Sequence, residues 1–166
     1  MIIASALPIA GFVGCVLTAA ISDARTLRIP NILCGAIAAL FAAHAAIDLT
    51  AMEAITAIGL AVVTLVAGFF AFARGKVGGG DVKLLAVCMA WAGPAHAIEL
   101  LVVTGLVGGV IGLALLSPYL ARQTAGLQRH WPQSETAATS AARAPMPYGV
   151  AIAAGALVVA ARLMMS

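Results

Sequence analysis

The run Ala54–Ala73, AITAIGLAVVTLVAGFFAFA, contains no charged residue and is closed at once by Arg74-Gly75-Lys76. A helix needs about 20 mostly apolar residues to cross a bilayer, and this run meets that length without interruption. Working outward, Ile2–Ile21 is a second such run, ending at the polar Ser22-Asp23-Ala24-Arg25, and Pro30–Ile47 is a third, with Pro30 and Asn31 suited to a helix start. The stretch from Leu84 to Leu120 is too long for one helix and is broken by Gly93-Pro94. It divides into a short helix at Val82–Trp91 and a longer one at Ala97–Leu116. Tyr148–Leu163 completes the set. The expected fold is all-α: a polytopic membrane protein of about six transmembrane helices, forming a single domain over residues 1–166.

Composition agrees with that fold. Hydrophobic residues make up 63% of the chain and charged residues 9%, against roughly 45–50% and about 25% in soluble domains. So little polar surface cannot coat a globule in water, which excludes a soluble enzyme, a disordered chain and a nucleic-acid binder. The chain's partner is instead the lipid bilayer. The first run has no Lys or Arg before it and exceeds the about 7–15 residues of a signal-peptide core, so a retained helix is expected.

Orientation follows from the cations. Of the nine Lys and Arg, eight fall in alternate loops: Arg25 and Arg28 in the first, Arg74, Lys76 and Lys83 in the third, and Arg122, Arg129 and Arg143 in the fifth. Only Arg162 lies on the other side. The positive-inside rule then makes these loops cytoplasmic and places both termini outside. The fifth loop, about Ala121–Pro145, is the only sizeable polar segment, rich in Ala, Ser, Thr and Gln, and is expected at the cytoplasmic face.

Cys15, Cys34 and Cys88 sit inside apolar runs and form no C-x-x-C pair, so neither a disulfide framework nor a metal site is expected. Gly105, Gly108, Gly109 and Gly112 form two overlapping G-x-x-x-G patterns that permit close helix approach, either within the bundle or in a homo-oligomer.

Of the six acidic residues, four have ordinary readings. Asp48 and Glu53 belong to an outer turn, Glu135 to the polar loop, and Glu99, with His96, to an interface. His44 is likewise expected at the outer interface. Asp23 and Asp81 differ, because each stands at the cytoplasmic end of a span and both face the same side. Ionisable groups at a bilayer are costly and usually face the bundle interior. Two carboxylates that meet in a partly desolvated pocket do not both ionise easily, and such a pair shares a proton near neutral pH. The ionised member can then take a proton from water while its protonated partner polarises a carbonyl. The competing reading is that both simply cap helices.

The string Lys76-Val77-Gly78-Gly79-Gly80-Asp81-Val82-Lys83 sets Asp81 apart. Glycine is a poor helix-interior residue but suits backbone that must bend unusually or approach another chain closely. A substrate backbone lying beside Asp81 would use that access. A flexible linker would also contain glycines.

Gly78-Gly79-Gly80-Asp81 fits the G-x-G-D signature of intramembrane aspartyl proteases, and the wider K-x-G-G-G-D-x-K string resembles the type IV prepilin peptidases. Asp23-Ala24-Arg25-Thr26-Leu27-Arg28-Ile29-Pro30-Asn31 resembles that family's first aspartate, followed by a basic stretch and I-P-N. Pro145-Met146-Pro147-Tyr148-Gly149 is similar to the P-Y-G segment that opens its last helix. The three motifs occur in the family's order, and with the spans the resemblance covers nearly the whole chain.

The resemblance implies a multi-pass aspartyl endopeptidase of the bacterial inner membrane, with Asp23 and Asp81 as its catalytic pair and no cofactor. It implies prepilin or pseudopilin precursors as partners, cut on the cytoplasmic side after a glycine that separates a basic leader from an apolar helix. Lys76, Gly78, Gly79, Gly80, Lys83, Pro147, Tyr148 and Gly149 are then the candidate substrate-binding residues. Longer members carry an insertion with paired C-x-x-C motifs, associated with zinc and with N-methylation. Here Asp23 follows directly after the first span, so methyltransferase activity is not implied. The compact form resembles the peptidases of tight-adherence (Flp/Tad) pilus systems. A small ion-coupled transporter using membrane carboxylates is the alternative, though its sites tend to lie near the midplane of repeated halves.

Overall fold

The computed structural model describes residues 2–116 and 146–165, so the expected loop at 121–145, including Pro145, lies outside the described residues. The helices are α1 (Ile2–Thr26), α2 (Asn31–Asp48), α3 (Ala51–Ala73), α4 (Gly79–Leu116) and α5 (Tyr148–Met165). All five are long and apolar enough to cross a membrane. The chain is an all-α, multi-pass membrane protein.

The fourth and fifth expected spans are the two arms of α4, which meet where the sequence breaks. Gly93 has φ 54 and ψ −172, and Pro94 follows it. That backbone conformation is open essentially to glycine only. Beyond it the chain doubles back. A Cβ at Gly108 would stand 3.6 Å from Ala151 and one at Gly112 would stand 3.4 Å from Met146, whereas a Cβ at Gly155 would meet Leu100. The second arm therefore runs antiparallel to α5 and returns to the end of the bundle where α4 began. Residues 79–92 rise only about 20 Å at 1.5 Å per residue, short of the about 30 Å hydrocarbon core. The short fourth helix is therefore shorter than the other spans.

A ring stack secures the top of that arm. Trp91 lies 4.4 Å from Phe12, near parallel at 9°, and 5.1 Å from His44 at 7°. Its indole N–H donates to the Ile37 carbonyl at 3.1 Å. His44, one turn from the end of α2, is buried at 6% exposure, with the indole over one face and its Nδ1 2.9 Å from Asp48 Oδ2. α4 packs on both α3 and α5, and α1 packs on α2 and α5. α3 buries only Ala57 and turns its other faces outward.

Element ends differ from the hydropathy boundaries for local reasons. α1 runs past Ile21 to Thr26, because polar residues end an apolar run without ending the backbone hydrogen-bond ladder. α3 begins at Ala51, with a capping box in which the Thr50 side chain accepts from the Glu53 N–H and the Glu53 carboxylate accepts from the Thr50 N–H. Glu53 therefore serves the helix rather than a turn. At the same end of the bundle, Glu99 accepts from Arg162 Nε and Nη2 at 3.1 and 3.0 Å.

Candidate active site

The end of the bundle opposite that pair carries both singled-out aspartates. Asp23 stands in the last turns of α1, 4% exposed, and its Oδ2 accepts the Gly149 backbone N–H at 2.7 Å. Gly149 is the second residue of α5, and the first N–H groups of a helix have no partner within it. A carboxylate suits such a helix start by hydrogen bonding and by charge. Asp23 thus caps a helix 126 residues away. The glycine is required by space: a Cβ there would stand 2.8 Å from Asp23 Oδ2 and 2.9 Å from its Cβ.

Asp81 is half-buried in the first turn of α4. Its carboxylate accepts the backbone N–H of Gly78, the reach-back half of a capping box. It lies within electrostatic reach of Asp23. The pair therefore combines one carboxylate enclosed by protein, at the end of α1 and capping α5, and one half-buried in the first turn of α4.

Each preceding glycine touches this chain's own atoms. A Cβ at Gly78 would stand 2.7 Å from Asp81 Oδ2, one at Gly79 would stand 3.3 Å from the Phe72 ring, and one at Gly80 would stand 3.2 Å from Ile29 Cβ. The close approach that glycine allows at position 80 is to the loop joining α1 and α2. On the other flank, a Cβ at Gly68 of α3 would stand 2.5 Å from Val82. Gly79 and Gly80 already belong to α4, rather than to a loop before it.

The α1–α2 loop is itself fixed. Leu27 ends α1 with φ 52, a left-handed conformation that costs a branched residue of order 1–2 kcal/mol. Its N–H donates to the Asp23 carbonyl at 2.8 Å. Ser22 Oγ donates to the Arg28 carbonyl at 2.8 Å, and Thr26 Oγ1, which donates to the Ser22 carbonyl at 2.8 Å, lies 3.4 Å from the same Arg28 oxygen. These hydroxyls hold the chain that presents Ile29 to Gly80. Ser22 and Thr26 carry no role in the sequence reading, and Ile29 enters it only as the first residue of the I-P-N segment. The signal for the first two was present: hydroxyl residues four apart on either side of Asp23.

Lys83 is exposed and donates from Nζ to Asn31 Oδ1 at 3.0 Å, so the I-P-N segment and the G-G-G-D-x-K segment are tied to each other. Lys76 is exposed in the α3–α4 connection, Tyr148 is exposed, and Pro147 is half-buried just before α5. Gly149 alone of its motif touches an aspartate by a hydrogen bond among the described residues. The three motifs therefore converge on one end of the bundle, and two carboxylates so placed can divide the roles of proton acceptor and donor around a bound water.

These features define a class: a helical membrane protein with two aspartates at one end of the bundle, one near the end of α1 and one in the first turn of α4. The family model of the type IV leader peptidases matches residues 10–113, a span that includes both aspartates, and the chain belongs to that family. It is a peptidase of the membrane. α5, with its clasp on Asp23, lies beyond the matched residues. Comparison with curated proteins returns no match, and comparison with solved structures returns none either.

Proposed function

We propose that the chain is an aspartyl endopeptidase that removes the basic leader from prepilins, of the Flp/Tad kind, at the cytoplasmic face of the bacterial inner membrane. The observation that carries this reading is the pair Asp23 and Asp81, each held by a backbone N–H, of Gly149 and Gly78 respectively, and within electrostatic reach of each other. Two carboxylates that meet in a partly desolvated site favour holding one proton between them. The ionised member takes a proton from a water between them. That water attacks the scissile carbonyl while the protonated member donates to the carbonyl oxygen. Collapse of the tetrahedral intermediate returns a proton to the departing amine and breaks the C–N bond. Family membership supports the hydrolytic class, and the alternation of cations supports the cytoplasmic side.

Gly78 and Gly149 hold the two carboxylates through their N–H groups, and Gly79, Gly80, Pro147 and Tyr148 border the path of the extended peptide. Lys76 and Lys83 flank that path. Cation repulsion directs a basic leader away from them, toward water.

The test is co-expression with a prepilin that carries a basic leader ending in glycine, scored for leader removal. Wild-type enzyme should cleave it, and Asp23→Asn, Asp81→Asn and the double variant should each abolish cleavage while inserting normally. The three losses should be similar, since residues that act as a unit are non-additive. Substantial cleavage by either single variant removes that residue from the pair.

A further inference from the structure

The helices that carry the two aspartates, α1 and α4, do not pack along each other among the described residues; both pack on α2 and both pack on α5. They meet in the Phe12–Trp91 ring stack, which lies about 15 Å of helix from either aspartate. The spacing of Asp23 and Asp81 is therefore set by what lies between their helices. On the side of α2 that is the connection from Leu27 to Pro30, and the chain there touches α4 on both sides of Asp81. Ile29 lies against Gly80, where an added Cβ would stand 3.2 Å from the Ile29 Cβ and 3.7 Å from its backbone N and O. Asn31, the first residue of α2, accepts from Lys83 Nζ through its side-chain oxygen at 3.0 Å. At its other end the connection is bound to the turn that carries Asp23. The Leu27 N–H donates to the Asp23 carbonyl, and Ser22 Oγ donates to the Arg28 carbonyl, each at 2.8 Å. Leu27 holds φ 52, a conformation that a branched residue keeps only where its surroundings over-determine it. The connection is stiff.

We propose that this connection is a spacer of fixed length between the two aspartates, and that Asn31 and Lys83 are its positioning residues: their hydrogen bond holds the first turn of α4, and with it Asp81, at its distance from Asp23. The proposal rests on the peptidase reading above and adds what sets the geometry of the pair. Lys83 leaves α4 about 200° round the helix axis from Asp81, so it acts on Asp81 through the helix and not by touching it. The residue types suit that duty. A lysine stem is long enough to cross from α4 to the start of α2, and its ammonium supplies the donor. An amide oxygen accepts from that ammonium without placing a third carboxylate beside the pair, where like charge would disturb the protons the two aspartates hold. Gly80 lets the connection lie flat on α4, and Lys83 fastens it one turn further along.

The test separates positioning from contact with substrate. In purified enzyme acting on a precursor with a basic leader ending in glycine, Asn31→Leu and Lys83→Met should each lower kcat by about tenfold and change KM by less than about twofold, since misplacement of about 1 Å near reacting atoms costs about a hundredfold. The double variant should lose no more than either single variant, because all three remove the same bond. Exchanging the partners, Asn31→Lys with Lys83→Asn, should recover most of the loss, and Lys83→Arg, which keeps a donor, should retain most of kcat. Arg74→Met removes another exposed cation at the same end of the bundle and should leave both constants unchanged.

A second measurement does not use catalysis. Ile29→Cys with Gly80→Cys sets two Cβ atoms near the spacing of a disulfide, so mild oxidation by copper phenanthroline in membranes should join the connection to α4. Enzyme with only the native Cys15, Cys34 and Cys88 supplies the background. Adding Lys83→Met should lower the yield of the cross-link, and the exchanged pair should restore it. Unchanged kcat in both Asn31→Leu and Lys83→Met overturns the proposal, as does a cross-link indifferent to Lys83→Met. A rise in KM alone also overturns it and makes Lys83 a contact of the substrate. Losses that add in the double variant and persist on exchange overturn it as well, because the two residues then act separately. Failure of wild-type enzyme to cleave any precursor, with a cross-link that still depends on Lys83, overturns the peptidase reading instead and leaves the spacer standing.

Discussion

The Gly149 backbone N–H donates to the carboxylate of Asp23 at 2.7 Å, joining the start of α5 to the end of α1. This contact makes a glycine near the other end of the chain part of the aspartate's environment. Substituting it tests the coupling. Gly149→Ala places a Cβ 2.8 Å from Asp23 Oδ2, so the carboxylate must turn away. Cleavage per inserted enzyme should fall between about tenfold and a hundredfold, while the amount of protein in the membrane changes little. Unimpaired cleavage would show that the position of Asp23 is not set by α5.

Gly80 gives a graded version of the same test. Its Cβ position lies 3.2 Å from Ile29 Cβ, so Gly80→Ala asks Ile29 to yield by a few tenths of an ångström and Gly80→Leu displaces the α1–α2 loop. Cleavage should decline from Gly to Ala to Leu. Removing the crowding atom with Ile29→Gly should recover part of the Gly80→Ala loss, which a pure substrate clash at position 80 does not predict. Rates equal across the series would separate the glycine from the placement of Asp81.

The bilayer made much of the architecture legible in the sequence, because a fixed hydrocarbon thickness turns apolar run lengths into helices, and Gly93-Pro94 into a break. The aspartates were legible because charge at the end of an apolar run is costly and stands out. Other features depend on partners far away in the chain. His44 is buried because Trp91 stacks on it, and the clasp of Gly149 on Asp23 spans 126 residues. Ser22 holds the Arg28 carbonyl through a hydroxyl whose target only a closed loop defines. Glu53 is legible as a capping residue as well as a turn residue. Thr50-Ala51-Met52-Glu53 carries the T-x-x-E spacing of a capping box.

Orientation in the membrane is directly measurable. Reporter fusions after Arg28 and Lys83 should read cytoplasmic, and fusions near Asp48 should read periplasmic, because the cations sort with the aspartate end. A fusion at Ala95 probes a subtler point. The first arm of α4 is about 20 Å long, shorter than the other spans, so a reporter inserted at its turn should be shielded from both compartments or favour the periplasm. A cytoplasmic reading at Ala95 would contradict the ascending arm.

The hairpin in α4 sets the final prediction, through two glycines in one helix. Gly93 adopts φ 54 with ψ −172, and any side chain there is strained by about 1–3 kcal/mol even though nothing lies within 4 Å of its Cβ position. Gly105 has equally open space around it but ordinary helical backbone. Alanine in a helix is favoured over glycine by roughly 0.5–1 kcal/mol. Gly93→Ala should therefore lower the thermal unfolding midpoint in detergent, and Gly105→Ala should hold or raise it. Local crowding cannot produce this opposite response, since neither position is crowded; only the backbone angle separates them. Gly93→Ala should also weaken cleavage, because the turn fixes the height of the arm on which Asp81 stands, and Trp91 anchors that arm just before the turn. An unchanged midpoint for Gly93→Ala would mean that the two arms of α4 do not require this turn.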